Sequence, residues 1–407
     1  MTEYKIKHLG HLGDGVADGP VFVAGALPGE VVTGELQGER LGNVRILRPS
    51  DDRVSAPCRH YKSCGGCQLQ HASNAFVANW KVDIVRKALR FQGLDATFKE
   101  SHVSPPASRR RATLAVRRTK KGAMVGFHAR GSDTIIEIPD CKLLHPDLMG
   151  AFPAFEALAV AGASRKGILS VSACVSASGL DVNVSGGKPL DGPLRAAIGP
   201  LAEAHGLARL CWDGEVIVMR DAPVQNFGPG QVVLPPDAFS QATPQGEEAL
   251  VSDVLSVLEN ARFAVDLFSG CGTFTFPASQ GCKVHAVEGD ADMIAALNQG
   301  WRNATGIKEI TTERRDLFRD PLVADELRKF DAAIIDPPRA GAEAQIYELA
   351  ESGISTIAYV SCNPTTFARD ARRLISAGYE MDSVRVIDQF RWSTHVELVT
   401  AFHLTSG

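Results

Sequence analysis

The chain has 407 residues, of which 44% are hydrophobic and 22% charged, and its formal net charge is −4. This length predicts two or three domains, and the composition is typical of a soluble globular protein. The apolar runs are too short to span a membrane, and residues 1–20 lack an apolar signal core. We therefore expect a cytoplasmic protein without a membrane partner, and any contact with nucleic acid must come from local basic patches.

Residues 1–53 alternate short apolar runs with glycine-containing turns, as in VFVAG, VVTGEL and GNVRIL. Closely spaced short strands with Pro28–Gly29 and Gly38 between them predict a small β-barrel. The pattern IKHLGHLGDGVA followed by VFVAGALPGE resembles the TRAM domain, an oligonucleotide-binding type of barrel found on RNA-modifying enzymes. The resemblance implies an RNA-binding role for this domain.

Four of the nine cysteines form a pattern that is typical of metal ligands. Cys58, Cys64 and Cys67 lie within ten residues around Gly65–Gly66, and Cys141 follows in IPDCKLLHP. Glycine lets a backbone fold around an ion or a cluster, and a cytoplasmic chain does not keep its thiols as disulfides. The four thiolates predict a structural zinc or an iron–sulfur site, and the spacing alone leaves both open.

The segment from 54 to 230 is predicted to be a β-rich central domain. Residues 75–92 have helical apolar spacing, and this helix could also pack on the catalytic domain. The stretch 108–121, SRRRATLAVRRTKK, holds seven cations and no acid, so we interpret it as a basic strand that contacts RNA phosphates. Up to residue 221, short strands are expected with one helical stretch over 192–205.

Residues 231–407 are predicted to form a doubly wound α/β domain. Strands are expected near 263–268, 283–288, 308–313, 331–336, 355–361, 380–388 and 395–403, with helices between them. Seven strands fit the sheet of class I S-adenosylmethionine-dependent methyltransferases better than the six-stranded dinucleotide-binding sheet.

A cofactor site is predicted where the first two of these strands end. Gly270 and Gly272 follow a strand and open a helix, and Glu288 ends the next strand, where its carboxylate can accept ribose hydroxyls. Thr275 replaces the third glycine of the dinucleotide fingerprint, which favours S-adenosylmethionine over NAD. Asp316 follows the third strand, in position to meet an adenine.

Each of two further strands is followed by a residue that could take part in a reaction. One ends in Asp336, at the start of DPPRAG, and the other leads to Cys362 in SCNPTTFARD. Ligands of open α/β sheets bind at this edge, so an acid and a thiol placed there together indicate chemistry.

The cysteine cluster, DLFSGCGTF, DPPRAG, SCNP and the late HVEL resemble, in this order, the RNA 5-methyluridine methyltransferases. The resemblance implies Cys362 as the nucleophile, Glu397 as the general base, and Asp336 and Phe239 as contacts of the uracil. It implies a 4Fe–4S cluster on the four cysteines, with zinc as the alternative, and a monomer acting on 23S ribosomal RNA. Its S-adenosylmethionine contacts would be Gln241, Phe268, Gly270, Gly272, Thr273, Glu288, Asp316 and Asp336.

The chemistry of uracil supports these roles independently. Carbon 5 is too poor a nucleophile to be methylated directly, and addition of a thiolate at carbon 6 makes it nucleophilic. A base must then remove the carbon-5 proton so that the thiol can leave. Because Cys362 precedes a predicted helix over 365–377, we expect the helix N-terminus to lower its pKa.

Three other hypotheses remain at this point. The same reaction could take place on a transfer RNA, or the chain could be a non-catalytic RNA-binding or assembly factor. An amino-methyltransferase would use an aromatic residue after its Asp-Pro-Pro, whereas this chain has Arg339 there. Two positions depart from the family pattern, which commonly has an asparagine at position 243 and an amide at position 273, where this chain has threonine.

Overall fold

The structure, a computed structural model, describes residues 2–405. The strands are β1 Glu3–Lys5, β2 His8–Leu9, β3 Gly15–Ala17, β4 Val21–Val23, β5 Val31–Gln37, β6 Arg40–Arg48, β7 His102–Val103, β8 Arg111–Arg118, β9 Ala123–His128, β10 Ile135–Glu137, β11 Ile168–Ser176, β12 Gly179–Ser185, β13 Arg209–Trp212, β14 Glu215–Met219, β15 Val224–Phe227, β16 Gly230–Val233, β17 Phe263–Leu267, β18 Lys283–Glu288, β19 Ile310–Arg314, β20 Ala332–Ile335, β21 Thr356–Ser361, β22 Tyr379–Met381, β23 Arg385–Asp388 and β24 Leu398–Leu404. The helices are α1 Asn74–Phe91, α2 Pro146–Gly150, α3 Phe152–Gly162, α4 Gly192–Ala204, α5 Pro244–Val257, α6 Thr275–Ala278, α7 Ala291–Asn303, α8 Ala324–Leu327, α9 Glu343–Ser352 and α10 Pro364–Ser376. Within residues 2–405, every helix is too short or too polar to cross a membrane.

The first sheet closes on itself, as the alternating pattern predicts. Its order is β1-β5-β6-β4-β3-β2, and β1 and β2 are two parts of one extended segment, so the sheet forms a barrel. The interior is filled by small aliphatic side chains such as Val23, Ala26 and Val32. On the outside, Leu9 and Leu27 pack with Leu69 and Trp80, which joins the barrel to the cysteine-containing loop and to α1.

The second sheet has the order β10-β9-β8-β11-β12-β13-β14 and packs against α3 and α4. The expectation of one helical stretch in this segment is wrong, because α2 and α3 precede α4. The sequence of α3, FPAFEALAVAG, is apolar apart from Glu156. Even its exposed face carries an apolar residue, Val160. A helix without a polar face lacks the periodicity by which it would be recognised.

The third sheet has the order β19-β18-β17-β20-β21-β24-β23, with β24 antiparallel to β21. All of the predicted strands are present, except that 380–388 is divided into β22 and β23, which both pair with β24. The short strand β7, from the amino-terminal half of the chain, adds to the edge at β23. The doubly wound α/β architecture is therefore confirmed, with a sheet wider than the expected seven strands.

Helix α1 packs on this third sheet rather than on the second. Its buried residues Val85 and Leu89 join the core that α10 and β20 also build. Burying each such aliphatic side chain contributes about 1.5–3 kcal/mol. Ser73 caps the helix by accepting a hydrogen bond from the Phe76 N–H, which satisfies one of its free amino-terminal donors. The helix thus fixes the amino-terminal half of the chain against the catalytic sheet.

Candidate active site

A cavity of about 630 Å³ opens at the carboxyl ends of β17, β18, β20 and β21. Most of the residues that the sequence analysis assigned to the cofactor and the substrate line this cavity: Phe239, Phe268, Gly270, Thr273, Glu288, Asp316, Asp336, Cys362 and Glu397. Gly272 and Gln241 are not in its lining. A single space of this size can hold a cofactor beside a flipped base.

Backbone strain shapes the cofactor half of the cavity. Phe268, directly after β17, has a φ of +62°, and Gly270 and Gly272 have φ values of +55° and +97°. A Cβ atom on Gly272 would lie 2.7 Å from Cε2 of Phe276, so a larger residue cannot be accommodated without a shift. Gly272 therefore makes room for the helix after the turn, whereas Gly270 is part of the cavity wall.

Two carboxylates are fixed in this half by backbone donors. Glu288 accepts hydrogen bonds from the N–H groups of Gly270 at 3.0 Å and Asp290 at 2.9 Å. Each oxygen keeps a lone pair for a ligand hydroxyl. Asp316 accepts the Phe318 N–H at 3.1 Å, and the Phe318 ring packs against Phe268 with ring centroids 5.3 Å apart. Phe318, which no sequence motif indicated, has a half-exposed ring that adds an apolar wall for a planar group.

Arg339 ties together the three loops that carry the reactive residues. Its carbonyl oxygen accepts a hydrogen bond from Asn363 Nδ2 at 2.8 Å, next to Cys362. Its guanidinium lies 2.7 Å from Nδ1 of His395, two residues before Glu397. Arg339 and His395 were not assigned a role from the sequence, although both lie inside the motifs DPPRAG and HVEL. Asp336, Cys362 and Glu397 are consequently held on one connected framework.

The side chains of Asp336, Cys362 and Glu397 share a buried environment in which each acts on the others. Burial, together with the neighbouring Asp336, raises the pKa of Glu397 to about 8, and burial raises the pKa of Asp336 to about 7. Burial and the carboxylates of Glu397 and Asp336 raise the pKa of the Cys362 thiol to about 11. The expectation that the helix N-terminus lowers this pKa is therefore wrong, because desolvation and two nearby acids outweigh it.

The arginines of the basic stretch have different environments. Arg109 and Arg111 line the cavity, and the Arg111 guanidinium lies 4.5 Å from the centre of the half-exposed Phe239 ring. Nε of Arg111 is buried without a hydrogen-bond partner within residues 2–405. Arg110, by contrast, is buried in an ion pair with Glu247. Arg110 is therefore structural, and the two arginines on either side of it face the site.

Gln241 contributes to the site from behind the cavity wall. Its side-chain Oε1 accepts a hydrogen bond from Nε2 of Gln389 at 2.6 Å. The same nitrogen lies 3.3 Å from Oε2 of Glu397. Gln389 was missed, because a glutamine directly after a strand residue carries no signal in the sequence.

The four clustered cysteines meet around a small enclosed cavity, which is also lined by Tyr61, Gln70, Phe127, Ile138 and Leu143. All four are free thiols. In the described part of the chain, no group of three His, Cys, Asp or Glu side chains has the close spacing that would hold a metal ion. The N–H groups of Gln68 and Leu69, just after Cys67, donate to the Trp392 carbonyl oxygen at 2.8 and 2.9 Å. The cysteine loop is thereby attached to the loop that leads to Glu397.

The fold and the cavity define the class of protein. A doubly wound sheet with a reversed last strand, a glycine turn after its first strand and an acid ending the second is the fold of a class I S-adenosylmethionine-dependent methyltransferase. The solved tRNA (uracil-54, C5)-methyltransferase of Pyrococcus abyssi, in complex with S-adenosyl-L-homocysteine, has the same fold. The two match with a TM-score of 0.77 and 22% identity over 98% of this chain and 99% of that one.

Comparison with known sequences then gives the family. The family model for tRNA (uracil-5-)-methyltransferase matches residues 235–403. An uncharacterized RNA methyltransferase of Mesorhizobium japonicum is 42% identical over 98% of this chain and 97% of its own length. The 23S rRNA (uracil(1939)-C(5))-methyltransferase RlmD of Halomonas elongata is 34% identical over 97% of this chain and 88% of its own. The chain belongs to the S-adenosylmethionine-dependent RNA uracil-C5 methyltransferases.

Proposed function

We propose that the protein methylates carbon 5 of one uridine in 23S ribosomal RNA, through a covalent bond between Cys362 and the uracil. The observation that carries this proposal is the shared cavity: a thiol, two acids and a glycine turn built for an adenosyl group line one space. Phe239, half-exposed at this cavity, is the proposed stacking partner of a base that has been flipped out of its stack.

The first half of the reaction makes carbon 5 nucleophilic. The Cys362 thiolate adds to carbon 6 of the uracil, the 5,6 double bond opens, and the electron pair is delocalised into the carbon-4 carbonyl as an enolate. Within residues 2–405 the Asp336 side chain makes no hydrogen bond, so it is free to bind the edge of the uracil ring. The bound cofactor supplies the methyl group that carbon 5 then takes up.

The second half restores the aromatic base and the free enzyme. Glu397 removes the carbon-5 proton, and the electrons of that bond reform the 5,6 double bond as the Cys362 sulfur leaves carbon 6 as a thiolate. The products are 5-methyluridine in the RNA and S-adenosylhomocysteine. Burial that raises the pKa of Glu397 makes this carboxylate a stronger base than an exposed one.

The choice of ribosomal RNA rests on the sequence comparison. The 34% identity to the Halomonas elongata protein, whose name specifies 23S rRNA, extends over nearly the whole chain, including the barrel and the cysteine loop. A transfer RNA substrate is the second candidate, because the family model carries a tRNA description. The barrel, which resembles a TRAM domain, is the proposed additional RNA-binding surface, and the expected compartment is the cytoplasm.

We also infer that Cys58, Cys64, Cys67 and Cys141 hold a 4Fe–4S cluster. The four thiols surround one enclosed space, and cysteine thiolates are the usual ligands of such a cluster. Iron and acid-labile sulfide in protein purified without oxygen, both lost in Cys67→Ser, would support the cluster, and stoichiometric zinc would contradict it.

Two measurements test the main proposal. Mapping of 5-methyluridine in ribosomal and transfer RNA from a strain without this protein identifies the substrate, and loss of a site in transfer RNA alone would overturn the ribosomal assignment. Purified Cys362→Ala protein is expected to give no methylation of that RNA. Normal product from this variant would exclude the covalent mechanism, while Cys211→Ala, which removes a buried thiol of the central sheet, is the matched control.

A further inference from the structure

The side-chain amide of Gln389 lies behind the wall of the reaction cavity and contacts Glu397, which lines that cavity. Its Oε1 accepts the Ala242 N–H at 2.8 Å. Its Nε2 faces two acceptors, Oε1 of Gln241 at 2.6 Å and Oε2 of Glu397 at 3.3 Å. The side chain is fully enclosed, with 1% of its surface exposed.

These contacts fix which way each amide points. A backbone N–H is always a donor, so the Ala242 contact requires the oxygen of Gln389 on that side. The nitrogen must then face Gln241 and Glu397, and Gln241 must present its oxygen in return.

A glycine at the start of α5 allows the Gln389 side chain to pack closely against this helix. Helix α5 begins beside this side chain, and a Cβ atom on Gly246 would lie only 2.7 Å from Cβ of Gln389. The hydroxyl of Thr243 caps α5 by accepting the Gly246 N–H and lies 2.7 Å from the hydroxyl of Ser104. Thr243 is therefore engaged elsewhere, and the amide that reaches Glu397 belongs to Gln389, after β23.

We propose that Gln389 is a positioning residue for the removal of the proton: its Nε2 orients the Glu397 carboxylate, and its contacts with Gln241 and with the Ala242 N–H hold the amide in the orientation that allows this. This inference rests on the proposed role of Glu397 as the base. The donated hydrogen bond favours the ionised carboxylate that proton removal requires. It also excludes the rotamers of Glu397 that would turn the carboxylate away from the substrate.

Other charged groups shift the pKa of Glu397, and the hydrogen bond from Gln389 opposes those that raise it. Asp336, at the end of β20, and Cys362, after β21, favour the protonated carboxyl when they are ionised. Arg111 of β8 and Arg339 of the DPPRAG loop favour the carboxylate. Within residues 2–405, Gln389 donates the hydrogen bond that the Glu397 side chain receives.

The test compares Gln389→Met with Gln345→Met. Methionine has the length and flexibility of glutamine but no donor, so the packing beside Gly246 is kept. Gln345 is a matched control, because it is also a fully buried glutamine whose side chain makes two hydrogen bonds, in this case with the backbone of Leu322. The measurements are the methylation rate between pH 6 and 9 at saturating substrates, the KM for S-adenosylmethionine and the thermal midpoint.

We expect Gln389→Met to slow methylation about tenfold to a hundredfold and to move the acidic limb of its pH profile upward by about one unit. The loss of a hydrogen bond to a charged group costs a free energy of about this size. The KM of this variant for S-adenosylmethionine should change less than the rate, because the lost hydrogen bond acts on Glu397. Both variants should lower the thermal midpoint by similar amounts, but Gln345→Met should leave the pH profile of methylation unchanged. A Gln389→Met profile that coincides with that of the control would overturn the inference, even where Cys362→Ala is inactive and the proposed function stands.

Discussion

The ammonium group of Lys81 lies 2.7 Å from Oδ1 of Asp388, and both side chains are buried. Lys81 belongs to α1, whereas Asp388 ends β23 and directly precedes Gln389. The lysine also donates to the carbonyl oxygen of Phe390 at 3.2 Å. A charge on the amino-terminal helix therefore holds the start of the loop that continues to His395 and Glu397.

Replacement of Lys81 by methionine is expected to destabilise the protein by about 3–5 kcal/mol, because it leaves the Asp388 carboxylate buried without a cation. Denaturant unfolding of the full chain measures this loss. Lys87→Met, at an exposed position of the same helix, should change the free energy of unfolding by less than about 0.5 kcal/mol. Equal stability of the two variants would show that the ion pair does not anchor α1.

Replacement of Glu397 by glutamine should trap the covalent bond between protein and RNA. The thiol can still add and carbon 5 can still be methylated, but the proton stays on carbon 5 and elimination stalls. A band of protein and RNA that survives denaturing electrophoresis measures the adduct. It should be absent in the double variant Cys362→Ala/Glu397→Gln, and release of product from Glu397→Gln at the normal rate would contradict the assignment of the base.

The rate of methylation should rise from pH 6 to pH 9. The reaction needs an ionised Cys362 and an ionised Glu397, whose pKa values are raised to about 11 and about 8. Both active forms therefore become more populated with increasing pH. Single-turnover rates at saturating RNA measure the trend. A rate that is constant or falls over this range would show that substrate binding lowers the pKa values of Cys362 and Glu397.

The stability of the protein should also depend on pH through Asp266. This carboxyl is completely buried at the end of β17, accepts a hydrogen bond from Thr275, and has a pKa raised to about 7, mainly by burial. The stability that Asp266 contributes is fully present below the unfolded-state pKa of about 4 and is lost as the pH rises through the folded-state pKa of about 7.

Asp266→Asn removes that titration and keeps an acceptor for Thr275. The variant is expected to be more stable than the original by about 2–4 kcal/mol at pH 8, with a smaller difference at pH 5. Urea unfolding of both proteins at the two pH values measures the effect. An advantage that is larger at pH 5 would mean that Asp266 is not the group that titrates.

Much of the site could be predicted because its residues follow strands. Asp336, Cys362 and Glu288 each stand at or just after a buried apolar run, and parallel strands bring their carboxyl ends to one edge. Helix α1 was predicted nearly to its ends from apolar spacing, and α10 from its position after the SCNP turn. Helix α3 was missed because its exposed face also carries apolar residues such as Val160, so its sequence shows no alternation between apolar and polar faces.

The amino-acid sequence by itself determined the family and most of the order of the strands and helices, since these depend on local spacing and on contiguous motifs, and it predicted which residues would carry the chemistry. Only the tertiary structure decided the environment of those residues. The raised pKa of Cys362 comes from burial and from carboxylates next to other strands, and the amide behind Glu397 comes from a glutamine 148 positions away from Gln241. Desolvation and hydrogen bonding act through space, so residues far apart in the chain set the properties of each reactive group.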